Sequence, residues 1–521
     1  MVACSSDNST DTRTEPIVGK ARVTLRLVTG EENAVTRAWQ DGNAKTDQSE
    51  MMYNWTVLIT DGSAIKYKYS GTPEEAEAEI DNVCTDVEME AGTYSVYSFA
   101  NISEASLKTL LGISSLDGGT ALADATVAAA TATVNGNSFD PTADNANGFG
   151  CKGIPMSNKQ SLTVPSSGSI SKDLIVVRML AKMELRITNS TGADVTVKKI
   201  TLTDVTANEA DNLKLLPSLT TAANADDMEA HHQDVRPNLN NTPTTTDFVV
   251  LSTDKAIANG STENVTFYVN ESATPANNGG LFQLSLELDG GEYRYSLISN
   301  NAQYEWNYIA RNDYRVLPVV LDDYKFELIP YDFPPIGVYP CSVKELDATE
   351  NLYEMTFHDY GHFHLVPQVT KRSDGSTVPY GSTGGTSPYW TLDTDWATSF
   401  KTAATKGGAW LTASEVEANG FYVSGSTATT DADDNGGVPV FDATTVWNGF
   451  TPFIFGKIAE PDAAWWTSPT DKQIYHEMRV KLYVNGTYRR DMIYRFYMTL
   501  SADQLLSAPQ LRFAPRRSHR P

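Results

Sequence analysis

The sequence predicts an all-β protein with a few short helices, divided into several domains. Its Thr-, Val-, Ile- and Tyr-rich runs are short and are separated by Gly, Asn and Asp, a pattern typical of many short strands. Hydrophobic residues make up 40% of the chain and aromatic residues 10%, as in a globular protein. At 521 residues the chain is too long for one hydrophobic core. We therefore expect two to four domains of roughly 100 to 200 residues each.

The net charge and hydropathy of the chain limit the classes of molecule that the protein is expected to bind. The formal net charge of −25 repels phosphate backbones and anionic membranes, so nucleic acid is not an expected partner. The sequence has no apolar run of the roughly 18 residues needed to cross a bilayer, so membrane association is expected only through a lipid or a partner. Motifs of the GxSxG, HExxH and GxxxxGK[ST] types are absent, and we expect no enzymatic activity. A glycoside hydrolase would need paired carboxylates, which a sequence cannot locate.

The first strand is predicted at residues 21–28. Alternation along this segment places Val23, Leu25 and Leu27 on one face, with Arg22 and Arg26 on the other. This pattern is typical of a strand with one buried face. We expect the three apolar side chains to lie in the core and both arginines to face outward.

The N-terminus resembles that of an exported lipoprotein. Small residues precede Cys4, as at the end of a bacterial lipobox, and a Ser-, Asp- and Thr-rich tether follows it. We expect Cys4 to carry the lipid of an outer-membrane precursor; the alternative is an ordinary thiol. The other cysteines lack the close spacing of a zinc site, and a bridge between Cys84 and Cys151 stays open.

A protease site follows the first strand. Residues 29–36 form a polar loop that ends at Arg37, before the small residue Ala38 and an aromatic residue. Such a loop is accessible to a trypsin-like protease. We predict maturation by cleavage between Arg37 and Ala38, which would release the first strand.

Two short helices are predicted in the N-terminal region. A capping box with proline at the first turn, residues 72–75, predicts a helix that runs to about Cys84. Ser103 is a typical N-cap for a second helix, which should stop at Gly112.

Three separated segments resemble the fimbrillins, the subunits of Bacteroidales type V pili. The lipobox, the first strand, the cleavage loop and a strand at 55–59 are similar in order to the family's leader, first strand and maturation site. Residues 153–157 and the R-x-x-A-K pattern at 178–182 resemble its PMS turn and the strand after it. Residues 306–316 resemble its I-x-R-N-x-x-Y segment. The resemblance covers about residues 1 to 320, and the shared order of the motifs carries it.

Two basic residues of this pattern interrupt an apolar run. From the residues alone, Arg178 and Lys182 are expected either to pair at a domain seam or to cap an exposed sheet edge. We assign them no chemistry. The two alternatives differ in whether the side chains are buried.

The resemblance implies tandem β-sandwich domains of the transthyretin-like or immunoglobulin-like type. It divides the chain into a lipoprotein tether with a removable first strand at 1–37, a fimbrillin β-domain at 38–172 and a second one at 173–335. A Trp-rich β-domain at 336–521 follows, beyond a proline-rich linker.

The resemblance also implies a function in pilus assembly. A sandwich that loses one strand exposes unpaired strand edges and an apolar groove, which is a template for a strand of another chain. After cleavage, a neighbouring subunit's strand would fill the groove left by Val23, Leu25 and Leu27. The expected partners are other pilin subunits and a host or bacterial surface glycan or protein, at a cell-surface fimbrium. The alternative is a glycan-binding lipoprotein with tandem immunoglobulin-like domains, which would keep its N-terminus.

The C-terminal region favours a tip or accessory subunit. Strands at 480–484 and 492–500, joined through Asn485-Gly486, form a strong hairpin signal. We expect them to pair inside this domain and leave no strand to donate, with a disordered basic tail after them. Trp390, Trp465 and Trp466 are either ligand-binding loop aromatics or core residues.

One acidic segment has the spacing of a twelve-residue calcium loop. Asp431, Asp433, Asn435, Gly437 and Asp442 occupy positions one, three, five, seven and twelve, with a glycine at position six. No flanking helices are predicted, and position nine is a proline. An acidic β-turn is therefore the alternative, and no other cofactor is expected.

Overall fold

The computed structural model describes residues 19–29, 50–140, 143, 148–209, 211–221, 235–276, 280–289, 291–297, 308–330, 340–347, 350–380, 389–390, 400–403, 405–407, 422–423, 454–458, 461, 463–484 and 487–507. The predicted all-β class with a few short helices is confirmed, because strands dominate the described ranges and only short helices accompany them. None of the helices in these ranges has the length and apolar character needed to cross a bilayer. The sheets pack around several hydrophobic cores.

The N-terminal unit is a sheet folded around one core. Its strands are β1 (Lys20–Thr29), β2 (Trp55–Thr60), β3 (Ile65–Gly71), β4 (Glu79–Glu90), β5 (Gly92–Ala100), β6 (Thr131–Ala132), β7 (Met156–Val164) and β8 (Ser169–Arg178), with helices α1 (Glu104–Leu111) and α2 (Asp124–Ala129). Seven of the strands follow the order β3-β2-β5-β7-β8-β1-β4. Side chains from both halves of this sheet share one hydrophobic cluster, so the sheet forms two facing layers.

The second unit is a sandwich of two sheets. Its strands are β9 (Leu180–Asn189), β10 (Val195–Thr206), β11 (Leu213–Lys214), β12 (Ser218–Leu219), β13 (Val235–Arg236), β14 (Thr245–Leu251), β15 (Lys255–Ile257), β16 (Thr262–Asn270), β17 (Gln283–Leu288), β18 (Gly291–Ser296) and β19 (Tyr314–Leu321). The sheet β16-β9-β19 packs against β14-β10-β17-β18 around a shared core. The predicted division at 172/173 falls within β8, which pairs with β1 of the first unit.

The third unit contains the C-terminal strands. They are β20 (Tyr324–Pro330), β21 (Pro340–Asp347), β22 (Leu352–Phe357), β23 (Gly361–Lys371), β24 (Thr377–Val378), β25 (Phe400–Ala403), β26 (Tyr422–Val423), β27 (Ile454–Ile458), β28 (Lys472–Val484) and β29 (Thr487–Leu500), followed by helix α3 (Ala502–Ser507). One sheet follows the order β20-β23-β27-β26, and β21-β22-β29-β28 packs with it around a common core.

One of the two helix predictions is confirmed and the other is wrong. Helix α1 begins after Ser103, whose hydroxyl accepts a hydrogen bond from the Ser106 backbone, and it ends at Gly112 in the left-handed conformation. The helix predicted from the capping box at 72–75 does not form, because residues 79–90 are strand β4. Backbone pairing with β1 and burial of Ile80 and Cys84 outweigh the local capping signal.

The first and second units meet at a cluster of buried asparagines. The Asn137 side-chain amide donates to the Thr206 carbonyl oxygen at 2.8 Å, and its oxygen accepts from the Asn270 backbone at 3.1 Å. These contacts bring the short 3₁₀ turn Gly136–Ser138 against β16. A β-carbon at Gly136 would lie 2.1 Å from the Asn270 Oδ1 atom and 2.6 Å from the Leu180 Cδ2 atom. The close approach of the two units therefore requires glycine at position 136.

A continuous sheet joins the second and third units. Strand β29 pairs with β18 at Asp491 and Arg294, and this pairing connects the sheets of both units. Around the junction, the Asp491 carboxylate accepts from Ser296 Oγ at 2.5 Å and from the Tyr488 hydroxyl at 2.9 Å. Buried acceptors of this kind need their donors, because an unpaired buried polar group costs roughly 1 to 3 kcal/mol.

Ion pairs next to this junction are also buried. Arg495 contacts Glu292 at 3.0 Å and Glu477 at 3.2 Å. Burial by itself would raise the pKa of Glu292, but Arg294 and Arg495 lower it to about 2. The third unit is thus fixed to the second by a shared sheet and by the ion pair of Arg495 with Glu292, which crosses the junction.

Acid should weaken the third unit through a buried imidazole. Burial lowers the pKa of His476 to about 3, whereas an unfolded histidine titrates near 6.5. As pH falls below about 6.5, the unfolded chain takes up a proton that the folded chain cannot, so stability falls by up to about 1.4 kcal/mol per pH unit. In His476→Phe, which keeps a ring against Phe496, this slope should flatten. Thermal melts between pH 7.5 and 5 measure it; equal slopes for both proteins would contradict the assignment.

The glycine contact predicts a selective loss of stability. Gly136→Ala should destabilise the junction of the first two units by about 1 to 3 kcal/mol, because the added methyl group overlaps Asn270 and Leu180. Gly92→Ala is the matched control, since a β-carbon there lies 3.6 Å from the Tyr94 ring, an ordinary contact. Differential scanning calorimetry of both variants decides; an equal melting temperature for the two would refute the argument.

Candidate functional site

The candidate functional site is strand β1 and the groove that holds it. On one side β1 pairs in parallel with β8, from Arg22 opposite Ser169 to Thr29 opposite Val176. On the other side it pairs in the antiparallel sense with β4. In the part of the chain that the structure describes, β1 is the one strand that pairs with β4. Removing β1 would therefore leave two strand edges with unpaired backbone groups.

The apolar face of β1 is completely buried. Val23, Leu25 and Leu27 are each 0% exposed and belong to the core cluster shared by both layers of the first unit. Arg22 is exposed and Arg26 partly exposed, so the predicted two faces of the strand are confirmed. Burying a side chain of this size contributes roughly 1.5 to 3 kcal/mol. Three such side chains, together with two hydrogen-bonded edges, hold β1 firmly in the uncleaved protein.

An ion pair aligns β1 with β8. The Arg26 guanidinium donates to both carboxylate oxygens of Asp173, at 2.9 and 2.7 Å. This hydrogen bonding lowers the pKa of Asp173 below its usual range, and the attraction of the arginine charge adds to it. Both side chains are about two-fifths exposed, so solvent screens the pair and it contributes little to stability. Its two-point geometry contributes to register more than to stability.

The predicted processing residues lie outside the described residues. Cys4 precedes the first described residue, and Arg37 and Ala38 fall in the gap between residues 29 and 50. Strand β1 ends at Thr29, and the chain is next described at Glu50. A cut between Arg37 and Ala38 would therefore leave β1 attached to the rest of the protein by non-covalent contacts.

Two of the segments that carried the family resemblance meet at the seam between the first and second units. Arg178 is 2% exposed, and its guanidinium donates to the Glu50 carbonyl oxygen at 3.3 Å and to Asn312 Oδ1 at 3.4 Å. Lys182 donates to the Glu50 carboxylate at 2.5 Å. Of the two roles expected for these cations, pairing at a domain seam is confirmed. No sequence pattern pointed to Glu50, which lies about 130 residues from both partners along the chain.

The segment at residues 309–314 supplies a further buried pair. Arg311 Nε donates to Glu271 Oε2 at 3.0 Å, and its other nitrogens reach the carbonyl oxygens of Leu215 and Lys214. Both charged side chains are 0% exposed. A buried pair with this many hydrogen bonds determines which surfaces fit together, and its burial leaves it no access to a ligand.

Two of the three tryptophans proposed for ligand binding are core residues. Trp390 is 1% exposed and packs edge-on against Phe326, with ring centroids 6.3 Å apart. Trp465 is 7% exposed, and its indole N–H donates to the Thr470 carbonyl oxygen. The ligand-binding interpretation of Trp390 and Trp465 is corrected, because a buried ring presents no surface to a partner. Trp466 is 38% exposed and stays a candidate.

The remaining predicted sites are the calcium loop and the possible disulfide. The calcium spacing at 431–442, with Asp431, Asp433, Asn435, Gly437 and Asp442, lies outside the described residues. Among the residues that are described, no three His, Cys, Asp or Glu side chains are grouped to hold a metal ion. Cys84 and Cys151 do not form a disulfide. The Cys84 thiol instead lies 3.7 Å from the Val23 carbonyl oxygen, and Cys151 accepts from the Asn54 amide at 2.7 Å.

The C-terminal hairpin forms as predicted. Strands β28 and β29 pair from Lys472 opposite Leu500 to Val484 opposite Thr487. Strand β29 also pairs in parallel with β22, so both of its edges are occupied. An interior strand of this kind is not available to a neighbouring subunit. The predicted basic tail, 508–521, lies outside the described ranges.

Comparisons with known proteins give structural neighbours only. No protein-family model and no curated protein matches the chain. A solved structure of a proposed cell adhesion protein from Parabacteroides distasonis overlaps with 57% of this chain and 88% of its own, at 14% identity and a TM-score of 0.37. The tip fimbrial protein Mfa3 of Porphyromonas gingivalis, truncated at its C-terminus, overlaps with 61% and 96%, at 10% identity and a TM-score of 0.32. A fimbrilin of the same organism overlaps with 59% and 89%, at 13% identity and a TM-score of 0.31.

These three neighbours are named as fimbrial or cell adhesion proteins. Identities of 10–14% and TM-scores below 0.5 are too low to assign a function. The functional argument therefore rests on the strand pairing and burial of this chain.

The buried face of β1 predicts how easily the strand opens. Leu25→Ala should lower the free energy of opening by about 2 to 5 kcal/mol, because it leaves a cavity among fully buried side chains. Arg22→Ala, on the exposed face of the same strand, should change it by less than about 0.5 kcal/mol. Hydrogen exchange of β1 and β4 amides in the uncleaved protein measures both. Equal protection in the two variants would show that the apolar face does not hold the strand.

Proposed function

We propose that this protein is a structural and adhesive pilus subunit, exported as a lipoprotein on Cys4 and matured by cleavage after Arg37. Assembly proceeds by donor-strand exchange, in which a neighbouring subunit's strand replaces β1. The observation that carries the proposal is that β1 is an interior strand with a fully buried apolar face and is followed by a chain segment containing a predicted protease site. Its expected place is a cell-surface fimbrium, with other pilin subunits as partners.

The physical driving force lies in the groove that β1 leaves. Without β1, strand β4 loses its strand partner in the described part of the chain, and one edge of β8 becomes unpaired. The core around Val23, Leu25 and Leu27 becomes open to water. An incoming strand with apolar residues at alternate positions satisfies both the backbone groups and the core. Exchange of one strand for another then links two subunits without a covalent bond.

The position in the fibre follows from the C-terminal region. Strand β29 lies between β28 and β22, so the last strand in the described part of the chain is committed to its own unit. A subunit that accepts a strand but donates none ends a fibre. We therefore place this chain at the tip or as an accessory subunit.

A second function is compatible with several of the features described above. A glycan-binding lipoprotein with tandem immunoglobulin-like domains would share the lipid, the β-sandwich units and the exposed Trp466. It would keep β1, since a tethered binder has no reason to shed its N-terminus. No catalytic role is proposed. Retention or loss of residues 1–37 separates the two functions.

The cleavage site provides the test. In a bacterium that assembles the fibre, wild-type protein isolated from the surface should begin at Ala38, and immunogold should label fibre ends. Arg37→Ala should leave a longer, lipid-tethered monomer, because β1 stays covalently attached in its groove. Mass spectrometry reports the N-terminus and the lipid on Cys4 together.

A matched variant controls for the loss of a basic residue. Arg13→Ala removes another arginine before β1, but cleavage at residue 13 would leave the strand attached, so this variant should mature and assemble normally. Normal fibre incorporation of Arg37→Ala would overturn the proposal. Wild-type surface protein that keeps residues 1–37 would favour the tethered glycan binder, and regular labelling along the shaft would refute the tip position.

A further inference from the structure

A cavity with both charged and apolar lining residues lies where the second and third units meet. It has a volume of about 410 Å³ and is formed by the turn at 190–192, the segment 322–324 between β19 and β20, the end of β23 and the adjoining ends of β28 and β29. This volume falls within the roughly 300 to 1,000 Å³ typical of small-ligand pockets, which often lie at domain interfaces. No residue of β1 or of the N-terminal unit lines it. The cavity is therefore separate from the strand-exchange groove.

Two positive and two negative side chains without an ion-pair partner in the described part of the chain line the cavity. Asp323, Asp374, Lys371 and Arg489 contribute two carboxylates and two cations, and none of the four forms an ion pair with another described residue. A third carboxylate, Asp322, is already paired with Arg490 behind the wall at 2.9 Å. The four open charges sum to zero in a chain whose net charge is −25. A ligand with a large charge of either sign gains little from such a lining.

The carboxylates are held in place by the protein. Asp323 accepts hydrogen bonds from the backbone N–H of Ser373, at 3.1 Å, and from its hydroxyl. Asp374 accepts from the Ser376 backbone at 2.8 Å, and hydrogen bonds from Ser376 lower the pKa of this carboxyl. Both side chains are therefore held in fixed positions, and as carboxylates they act as hydrogen-bond acceptors only. Lys371 and Arg489 act as donors only.

Part of the remaining wall is apolar, beside the polar residues Ser190, Thr191 and Ser373. Val320, Val484 and the half-buried ring of Tyr324 line the cavity beside the charged groups. The Tyr324 backbone is fixed at both ends, because its N–H donates to Asp322 at 3.1 Å and its carbonyl accepts from Arg490. The shared sheet through β18 and β29 fixes the two units that form the walls. A pocket that is already formed loses little entropy when it binds a ligand.

One class of ligand matches both the charged hydrogen-bonding groups and the apolar part of the wall. Sugar hydroxyls both donate and accept, so they can hydrogen-bond to carboxylates on one side and to cations on the other. A pyranose ring also presents an apolar C–H face, which packs against an aromatic or aliphatic wall. A neutral sugar adds no charge to a lining that is already balanced.

We propose that this cavity is a binding site for a neutral sugar residue of a glycan, with Asp323, Asp374, Lys371 and Arg489 as its hydrogen-bonding groups and Tyr324 as its apolar wall. Binding there is independent of strand exchange. The site gives the protein an adhesive surface formed only where the second and third units are joined.

A glycan array printed with neutral and sialylated oligosaccharides tests the proposal on the full-length purified protein. Wild type should bind neutral glycans, and the affinity for the best of them is then measured by isothermal titration calorimetry. Asp323→Asn and Arg489→Gln should each weaken that affinity by about tenfold or more, because a hydrogen bond to a charged group is lost. Lys472→Gln, an exposed cation on β28 outside the cavity, is the matched control and should bind as wild type does.

The possible results distinguish a sugar-binding site from no site, and a neutral sugar from a charged one. Unchanged thermal melts of the two cavity variants, together with loss of binding, support the site. Failure of every glycan to bind, or binding that both variants retain, overturns it. Preference for sialylated glycans contradicts the balanced-charge argument and overturns the neutral-sugar assignment. None of these results depends on cleavage at Arg37, so a failed site leaves the assembly proposal standing.

Discussion

The structure of the first unit depends on one strand that pairs on both edges and is buried on one face. Strand β1 completes the backbone hydrogen bonding of β4 and β8, and its three apolar side chains fill the core between the layers. A strand edge and an apolar groove exposed together are unstable in water, because both the polar backbone and the core lose their partners. Any process that removes β1 must therefore replace it. This constraint links the fold to the proposed assembly by strand exchange.

Buried polar contacts join the second unit to the first and the third unit to the second. Arg178, Lys182 and Glu50 join the first seam, and the asparagine cluster around Gly136 brings the same units into close contact. The second seam combines one continuous sheet with buried ion pairs. Buried charges contribute little net stability, but separating a pair that crosses a seam leaves an uncompensated buried charge, which favours the docked arrangement. The units are consequently held in defined positions, which suits a protein whose role is to connect and present surfaces. The cavity between the second and third units exists only because of that arrangement.

Local sequence patterns predicted the structure correctly where each pattern corresponded to one strand, helix or hairpin. The alternation at 21–28, the N-cap at Ser103 and the hairpin ending at Leu500 each correspond to an element of the structure. The capping box at 72–75 failed, because β4 gains more from pairing with β1 than a short helix gains from its cap. The tryptophans were ambiguous for a different reason. A loop-like neighbourhood in sequence does not report whether the ring points into a core, and Trp390 and Trp465 do.

The sequence by itself determined the all-β class, the amphipathic first strand and the residues of two seam motifs, because periodicity, capping and residue type are local properties of the chain. It could not locate Glu50 as the partner of Arg178 and Lys182, or bring Asp323, Lys371 and Arg489 around one cavity. Those groups lie far apart in the sequence, and only the pairing of distant strands places them together. Tertiary structure alone also decided that β1 is the partner of β4, since pairing between strands more than fifty residues apart depends on which edges and apolar faces remain unsatisfied once the sheets form.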